Sequence, residues 1–213
     1  MTGSRTKTVL LATRNPKKLD ELRRILADAV LTELDTDVHV EVLGLGSVPA
    51  YDEAPETGAT FAENALLKAN EAVRYTGLVS VADDSGIAVD ALNEMPGVLS
   101  ARWAGKAKDD EKNLNLVLEQ VADVPDERLG AAFVCAAALV TPAGEQRVTE
   151  GVMRGRLIRQ PRGANGFGYD PIFVPDGYEV TSAELDPAQK DAISHRGKAL
   201  RALLPALLDA LGD

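Results

Sequence analysis

Apolar positions along this chain follow two rhythms. Short apolar runs at 8–12, 38–45 and 78–82 have the length and branching of buried strands. Two longer runs, 131–140 and 146–158, flank a turn at Pro142-Ala143-Gly144 and read as strands as well. Between them, apolar residues recur at helical spacing: Leu19, Leu22, Ile25 and Leu26; Phe61, Ala65, Ala69 and Ala72; Leu114, Val117, Leu118 and Val121; and Leu200, Leu203, Leu204, Leu207, Leu208 and Leu211. Asn15-Pro16 provides an N-cap and a first-turn proline for the first helix, and Thr60-x-x-Glu63 is a capping box for the second. Pro49 and Pro55 mark a loop over 44–58, Pro96-Gly97 a turn, and 161–168 a glycine-rich loop. Strands and helices alternate without internal repeat or flexible linker, which predicts an α/β fold with a mixed sheet and a single domain over 1–213.

Composition narrows the function. A chain of 213 residues is long enough for one large domain or two small lobes around a real core, and 45% hydrophobic with 26% charged residues is an ordinary globular balance. The formal net charge of −10 argues against non-specific binding to nucleic acid or an anionic membrane. A small phosphorylated ligand remains compatible, because local Lys and Arg decide that. The single cysteine, Cys135, lies in an apolar run, so it forms no intrachain disulfide and reads as a small buried hydrophobe. No apolar run reaches the ~18 residues of a membrane span. The polar start and the short stretch at 9–12 do not make a signal-peptide core, so a soluble, cytoplasmic protein is expected.

Four strings carry candidate chemistry. Asp83-Asp84-Ser85-Gly86 places two carboxylates just after the apolar run 78–82, where they are costly unless a positive partner meets them. Mg²⁺ carrying a polyphosphate is a natural partner, and a carboxylate beside the ion can take a proton from water. The alternative is an Asx-turn at a strand end. Glu56, in the proline-rich loop, is a further acid. Thr13-Arg14-Asn15-Pro16-Lys17-Lys18 lies where a strand passes into a helix, a favoured place for phosphate. It offers a hydroxyl, an amide and, one turn into the helix, the Lys18 ammonium. It has no glycine and is not a Walker A loop, and a capped helix with a solvated lysine pair reads equally well. Asn165-Gly166-Phe167-Gly168-Tyr169-Asp170-Pro171 lets backbone and ring approach a flat ligand, or is simply a turn. Lys190 with Ser194-His195-Arg196 sets two planar nitrogen donors side by side at the head of the last helix. His39, the other histidine, falls in a predicted strand with no obvious partner.

Taken together the strings stop being independent. Thr-x-Asn-x-x-Lys, Glu-Thr-Gly before a capped helix, Ala-Asp-Asp-Ser-Gly, Pro-Gly-x-x-Ser-Ala-Arg, Gly-Phe-Gly-Tyr-Asp-Pro and Ser-His-Arg occur in this order. The set resembles the Ham1/RdgB-like family of noncanonical purine nucleoside triphosphate pyrophosphatases, the inosine or xanthosine triphosphatases, over 8–208. The resemblance implies an elongated two-lobed α/β fold with a long central mixed sheet, a cleft between the lobes, and a homodimer. It implies Mg²⁺-dependent hydrolysis of ITP, dITP and XTP to the monophosphate and pyrophosphate, clearing deaminated purines from the nucleotide pool.

The resemblance also distributes roles. It gives the triphosphate to the 13–18 loop (Thr13, Asn15 and Lys18 above all) with Lys190 assisting, and makes Asp84 general base and metal ligand, with Glu56 and Asp83 close to the ion. Ser85 contacts substrate; Phe167, Gly168, Tyr169 and Asp170 form the base and sugar pocket; His195 and Arg196 read the purine edge. Arg14 stands where the family usually has glycine, and Pro55 where an acid is commoner, so the backbone of the first loop and a second glutamate ligand are open points. Three rivals remain at this level: a Maf-like pyrophosphatase of other base preference, a nucleotide-binding sensor without turnover, and a structural α/β protein whose acids are solvated.

Overall fold

The computed structural model describes residues 5–33, 38–52 and 55–212. The side chains of Leu26 and His39 lie outside the described set. Six strands, β1 (Arg5–Leu11), β2 (Val38–Gly44), β3 (Val79–Val89), β4 (Gly130–Val140), β5 (Gln146–Leu157) and β6 (Phe173–Pro175), form one sheet in the order β2-β1-β3-β4-β5-β6. β1 runs parallel to β2 and β3, while β5 and β6 are antiparallel, so the sheet is mixed as expected. Among the described residues five α-helices accompany it: α1 (Pro16–Glu33), α2 (Phe61–Thr76), α3 (Asp110–Gln120), α4 (Pro187–Ile193) and α5 (His195–Gly212).

By contact density the chain divides into two compact units, one of 1–84, 136–150 and 196–213, the other of 85–135 and 151–195. In the first, Leu10, Ala12, Ala65, Ala69, Ala72, Ala82, Ala136, Ala138 and Val140 make a core. Alanine dominates the buried stripe of α2, so little side-chain bulk separates the helix from the strands it covers. The capping box forms as the sequence dictates: Glu63 N donates to Thr60 Oγ1 (3.1 Å), and Thr60 N donates to Glu63 Oε2 (3.3 Å). The helix ends on Gly77, whose left-handed φ of 68° lets its N–H reach the Val73 carbonyl. In the second unit, Ile87, Val89, Val117, Val121, Leu129, Phe133, Ile172 and Phe173 form a separate core, with Phe133 edge-on to Phe173.

Three elements differ from the expectation. The strand predicted over 78–82 continues to Val89, so Asp83-Asp84-Ser85-Gly86 lies inside β3 rather than beyond its end. Turn-forming composition lost to tertiary partners: both carboxylates are met by cations from neighbouring helices, so the strand has no need to stop. β6 is too short to leave a periodic trace. α4 buries none of its side chains, so it shows no apolar stripe, although its Asp186–Gln189 capping box and first-turn proline are visible in the sequence.

Candidate active site

The strand pleat sorts the two aspartates. Consecutive residues of a strand point to opposite faces, and Asp83 and Asp84 accordingly meet different helices. Asp84 turns to α2, where Oδ1 accepts from Lys68 Nζ at 2.9 Å and Oδ2 accepts from Asn64 Nδ2 at 3.1 Å. The same ammonium donates to Glu56 Oε1 at 3.2 Å. Asn64 is fully buried and cannot turn over, because its Oδ1 already accepts from Gly58 N at 2.8 Å. A Cβ on Gly58 would lie 2.7 Å from that same oxygen, which explains the glycine of Glu-Thr-Gly.

Asp83 turns to α1 and α5. Its Oδ2 accepts from Lys18 Nζ at 2.7 Å and from Arg196 Nε at 3.1 Å, and Arg196 Nη1 donates to Glu21 at 2.6 Å. Asp83, Glu21 and Arg196 are all buried.

The two carboxylates differ chemically as a result. Burial alone would raise the proton affinity of Asp83, but Lys18, Arg196 and Lys68 together hold its carboxyl far below the ordinary carboxylate range. Burial likewise pushes Asp84 upward, and here it prevails: one ammonium and one amide do not offset it, and Glu56 adds a like charge. Burial would lower Lys68, yet Asp84, Asp83 and Glu56 raise it above the usual lysine value, so it stays charged. Asp84 is thus the more basic member of the pair.

A metal ion fits one part of this arrangement. Asp84 and Glu56 converge on a single cationic nitrogen, the environment a hard cation takes. Asp83 does not share that nitrogen through a hydrogen bond: its Oδ2 is held by Lys18 and Arg196. Among the described residues no group of three or more His, Cys, Asp or Glu side chains is gathered for a metal. An ion here would take two protein carboxylates and complete its shell with water and phosphate, as Mg²⁺ commonly does.

The loop between β1 and α1 is organised as its residue types predict. Thr13 Oγ1 accepts from Asn15 N (3.1 Å), and Asn15 Oδ1 caps the helix by accepting from Lys17 N (3.0 Å). Pro16 and Lys17 are exposed, and Lys18 is half-buried. Arg14 causes no backbone strain: the described non-glycine residues with left-handed φ are Asn93, Glu94 and Lys108. Its exposed guanidinium donates to the Tyr51 carbonyl at 3.2 Å.

In the second unit, the glycine-rich loop wraps around the Asp170 carboxylate. Asp170 Oδ2 accepts from Phe167 N (2.9 Å) and from Lys190 Nζ (2.5 Å), and Lys190 also lies 5.7 Å from the Phe167 ring centre. Lys190 thus packs with this loop through Asp170 and the Phe167 ring. Gly168 N donates to Asp110 Oδ2 at 3.0 Å. Tyr169 points into the core with its hydroxyl donating to the Ser100 carbonyl at 2.9 Å, and burial raises its proton affinity. Ser100 in turn accepts from Ile87 N and donates to the Gly97 carbonyl, and a Cβ on Gly86 would stand 2.4 Å from both groups that Ser100 joins there, its own Oγ and that carbonyl oxygen. The Pro-Gly-x-x-Ser string is thus a packing device that fixes the strand just beyond the half-buried Ser85. His195 is buried and stacks on Phe133, with centroids 4.9 Å apart and planes 13° from parallel.

Lys68, Asn64 and Glu21 escaped sequence reading. Asn64 and Lys68 are four apart on α2 and share its alanine stripe; a polar pair on an otherwise apolar helix face was the available signal. Glu21, three residues after Lys18, gave none.

Residues 9–206 match the model of the Ham1 family. A protein of Nocardia farcinica named dITP/XTP pyrophosphatase is 62% identical over 96% of this chain and 96% of its own. The crystal structure of a nucleoside-triphosphatase / dITP/XTP pyrophosphatase from Mycobacterium abscessus is 60% identical, covers 93% of this chain and 99% of its own, and superposes with a TM-score of 0.73. A HAM1 protein from Coxiella burnetii is 41% identical over 95% of this chain and 99% of its own, with a TM-score of 0.81.

Proposed function

The chain belongs to the Ham1 family, and on that premise we propose that it hydrolyses deaminated purine nucleoside triphosphates, ITP, dITP and XTP, to the nucleoside monophosphate and pyrophosphate. Similarity to proteins named dITP/XTP pyrophosphatase supports the substrate class. The observation that carries the chemistry is Asp84, a buried carboxylate of raised proton affinity fixed between Asn64 and Lys68 with Glu56 at hand.

Asp84 takes the proton of the water that attacks the α-phosphorus, a role suited to a carboxylate more basic than usual. Lys18 and Lys68 supply positive charge to the triphosphate, the principal contribution proteins make to phosphoryl transfer. Mg²⁺, held by Asp84 and Glu56, would add positive charge against the phosphate oxygens. Thr13 and Asn15 fix the loop that presents Lys18. Phe167 offers a stacking face, and the Asp170–Lys190 pair sets its loop. A 6-oxo purine presents an acceptor where adenine presents an amino donor, so a ring N–H of His195 matches the first and leaves two donors facing each other with the second. A homodimer, which rests on the resemblance, and a cytoplasmic location, which rests on the sequence reading, belong to this proposal.

The test is product analysis. Purified protein is incubated with Mg²⁺ and ITP, with ATP and GTP in parallel. Inosine monophosphate and pyrophosphate, with little turnover of the other two, are expected. Inosine diphosphate and inorganic phosphate would place attack at the terminal phosphorus and overturn the reading.

A further inference from the structure

Four buried or half-buried charges close a ring in the first unit. Lys18 and Glu21 lie one turn apart on α1. Lys18 reaches Asp83 on β3, Asp83 reaches Arg196 at the head of α5, and Arg196 returns to Glu21. One oxygen, Asp83 Oδ2, receives both cations. We propose that Asp83 is a positioning residue, which with Glu21 and Arg196 holds the Lys18 ammonium in place for the triphosphate, and that it does not ligate the metal. The inference rests on the function proposed above and goes beyond it by removing one acid from the metal site and giving it a different task.

A free lysine side chain is among the most costly to order. The Lys18 side chain is 17% exposed, and its ammonium is anchored on a carboxylate that is 4% exposed. Asp83 is itself fixed, because Arg196, 5% exposed, locks it from the other side and is locked by Glu21. Binding energy is therefore not diverted to freezing the lysine, which is what preorganisation supplies. The guanidinium fork suits this role: Nε and Nη1 address two different carboxylates at once.

Asp83→Asn and Glu21→Gln test it, with ITP kinetics at varied Mg²⁺ and nitrogen NMR of the Arg196 Nε–H. Asp83→Asn is expected to raise KM for ITP about tenfold, to change kcat by less than about threefold, and to leave the half-saturating Mg²⁺ concentration within about twofold of wild type. Glu21→Gln shifts KM in the same direction by less, and the double variant falls short of the product of the two, because the ring is already open. The Arg196 Nε–H exchanges slowly with water in the wild type and quickly in Asp83→Asn. A tenfold rise in the Mg²⁺ requirement of Asp83→Asn would show Asp83 to be a ligand. A fall in KM would show that it only neutralises Lys18. Either result overturns the proposal. If the wild type turns over none of the three triphosphates, the proposed function fails, and the exchange measurement still decides the ring: equal rates in wild type and Asp83→Asn refute it.

Discussion

Asn64→Asp is the sharpest perturbation of the proposed base. It changes one NH₂ to an oxygen, with no change of shape. Asn64 Nδ2 donates to Asp84 Oδ2 at 3.1 Å, and Asn64 Oδ1 is pinned by Gly58 N, so the new oxygen must face the Asp84 carboxylate. Two full charges at that separation repel by about 5 kcal/mol at the effective dielectric of ~20 that suits partly buried groups. That figure is a ceiling, since Lys68 lies against Asp84 and a shared proton relieves the repulsion. Even a third of it moves the ionisation of the pair by about one pH unit. The sign follows from the role: if Asp84 must be ionised to accept a proton, the acid limb of the pH profile of kcat/KM moves to higher pH by about one unit or more. Activity lost near neutrality then returns at alkaline pH. The assay is pyrophosphate release from ITP between pH 5 and 10 at saturating Mg²⁺, for wild type and variant. A uniform drop in rate with the acid limb unmoved would mean that the rate does not follow Asp84 ionisation, and the assignment of the base would fall.

Three further outcomes are expected. Asp84→Asn lowers kcat about 10²–10⁴-fold, the usual worth of a general base; its melting temperature stays within a few degrees of wild type, because relief of a buried charge is offset by one donor facing another at Asn64 or Lys68, and calorimetry checks that the loss is not unfolding. Gly166→Ala places a Cβ 2.1 Å from Asp170 Oδ2 and 2.9 Å from Lys190 Nζ at a φ of +75°, so it breaks the loop around Asp170 and raises KM for ITP at least tenfold while the second core stays folded by near-ultraviolet dichroism. Asp83 is depressed in the folded protein, so its stabilising contribution is complete above the unfolded value of 3.8 and is lost as pH falls below it; urea titrations should find Asp83→Asn less stable than wild type by about 3 kcal/mol at pH 6, with the gap closing as pH drops through 4 and below.

Much of the fold was legible because its signals are local. The capped start of α2, the proline and asparagine at the head of α1, and the unbroken apolar runs of β1 and β4 each state their own structure. The strands that needed tertiary partners were harder. β3 extends through Asp83-Asp84-Ser85-Gly86, a string with turn-forming composition, because Lys18 and Arg196 meet one carboxylate and Asn64 and Lys68 the other. No local propensity contains that information. Residue types at the site were readable in the same uneven way. The strings named the acids and the lysines, but spacing could not say that Lys190 faces Asp170, that the Tyr169 hydroxyl is turned to Ser100, or that Arg196 is gripped by two carboxylates. Those are facts of packing between segments up to 175 residues apart.

The adjacent aspartates show how a strand gives one repeated residue two environments. As neighbours on a loop they would share one environment and compete for one cation. On a strand they are divided by the pleat, and each inherits the charge of the helices on its own face. Asp83 meets two cations and stays ionised well below the usual carboxylate range, suited to hold and unsuited to accept a proton. Asp84 meets one ammonium, one amide and the like charge of Glu56, and is left basic enough to take one. Exchanging the pair's surroundings should therefore matter more than exchanging the residues. Asp83→Glu keeps a carboxylate between Lys18 and Arg196 and tolerates a small shift, whereas Asp84→Glu moves the proposed proton acceptor by a methylene, a displacement that a reaction demanding near-ångström placement does not forgive.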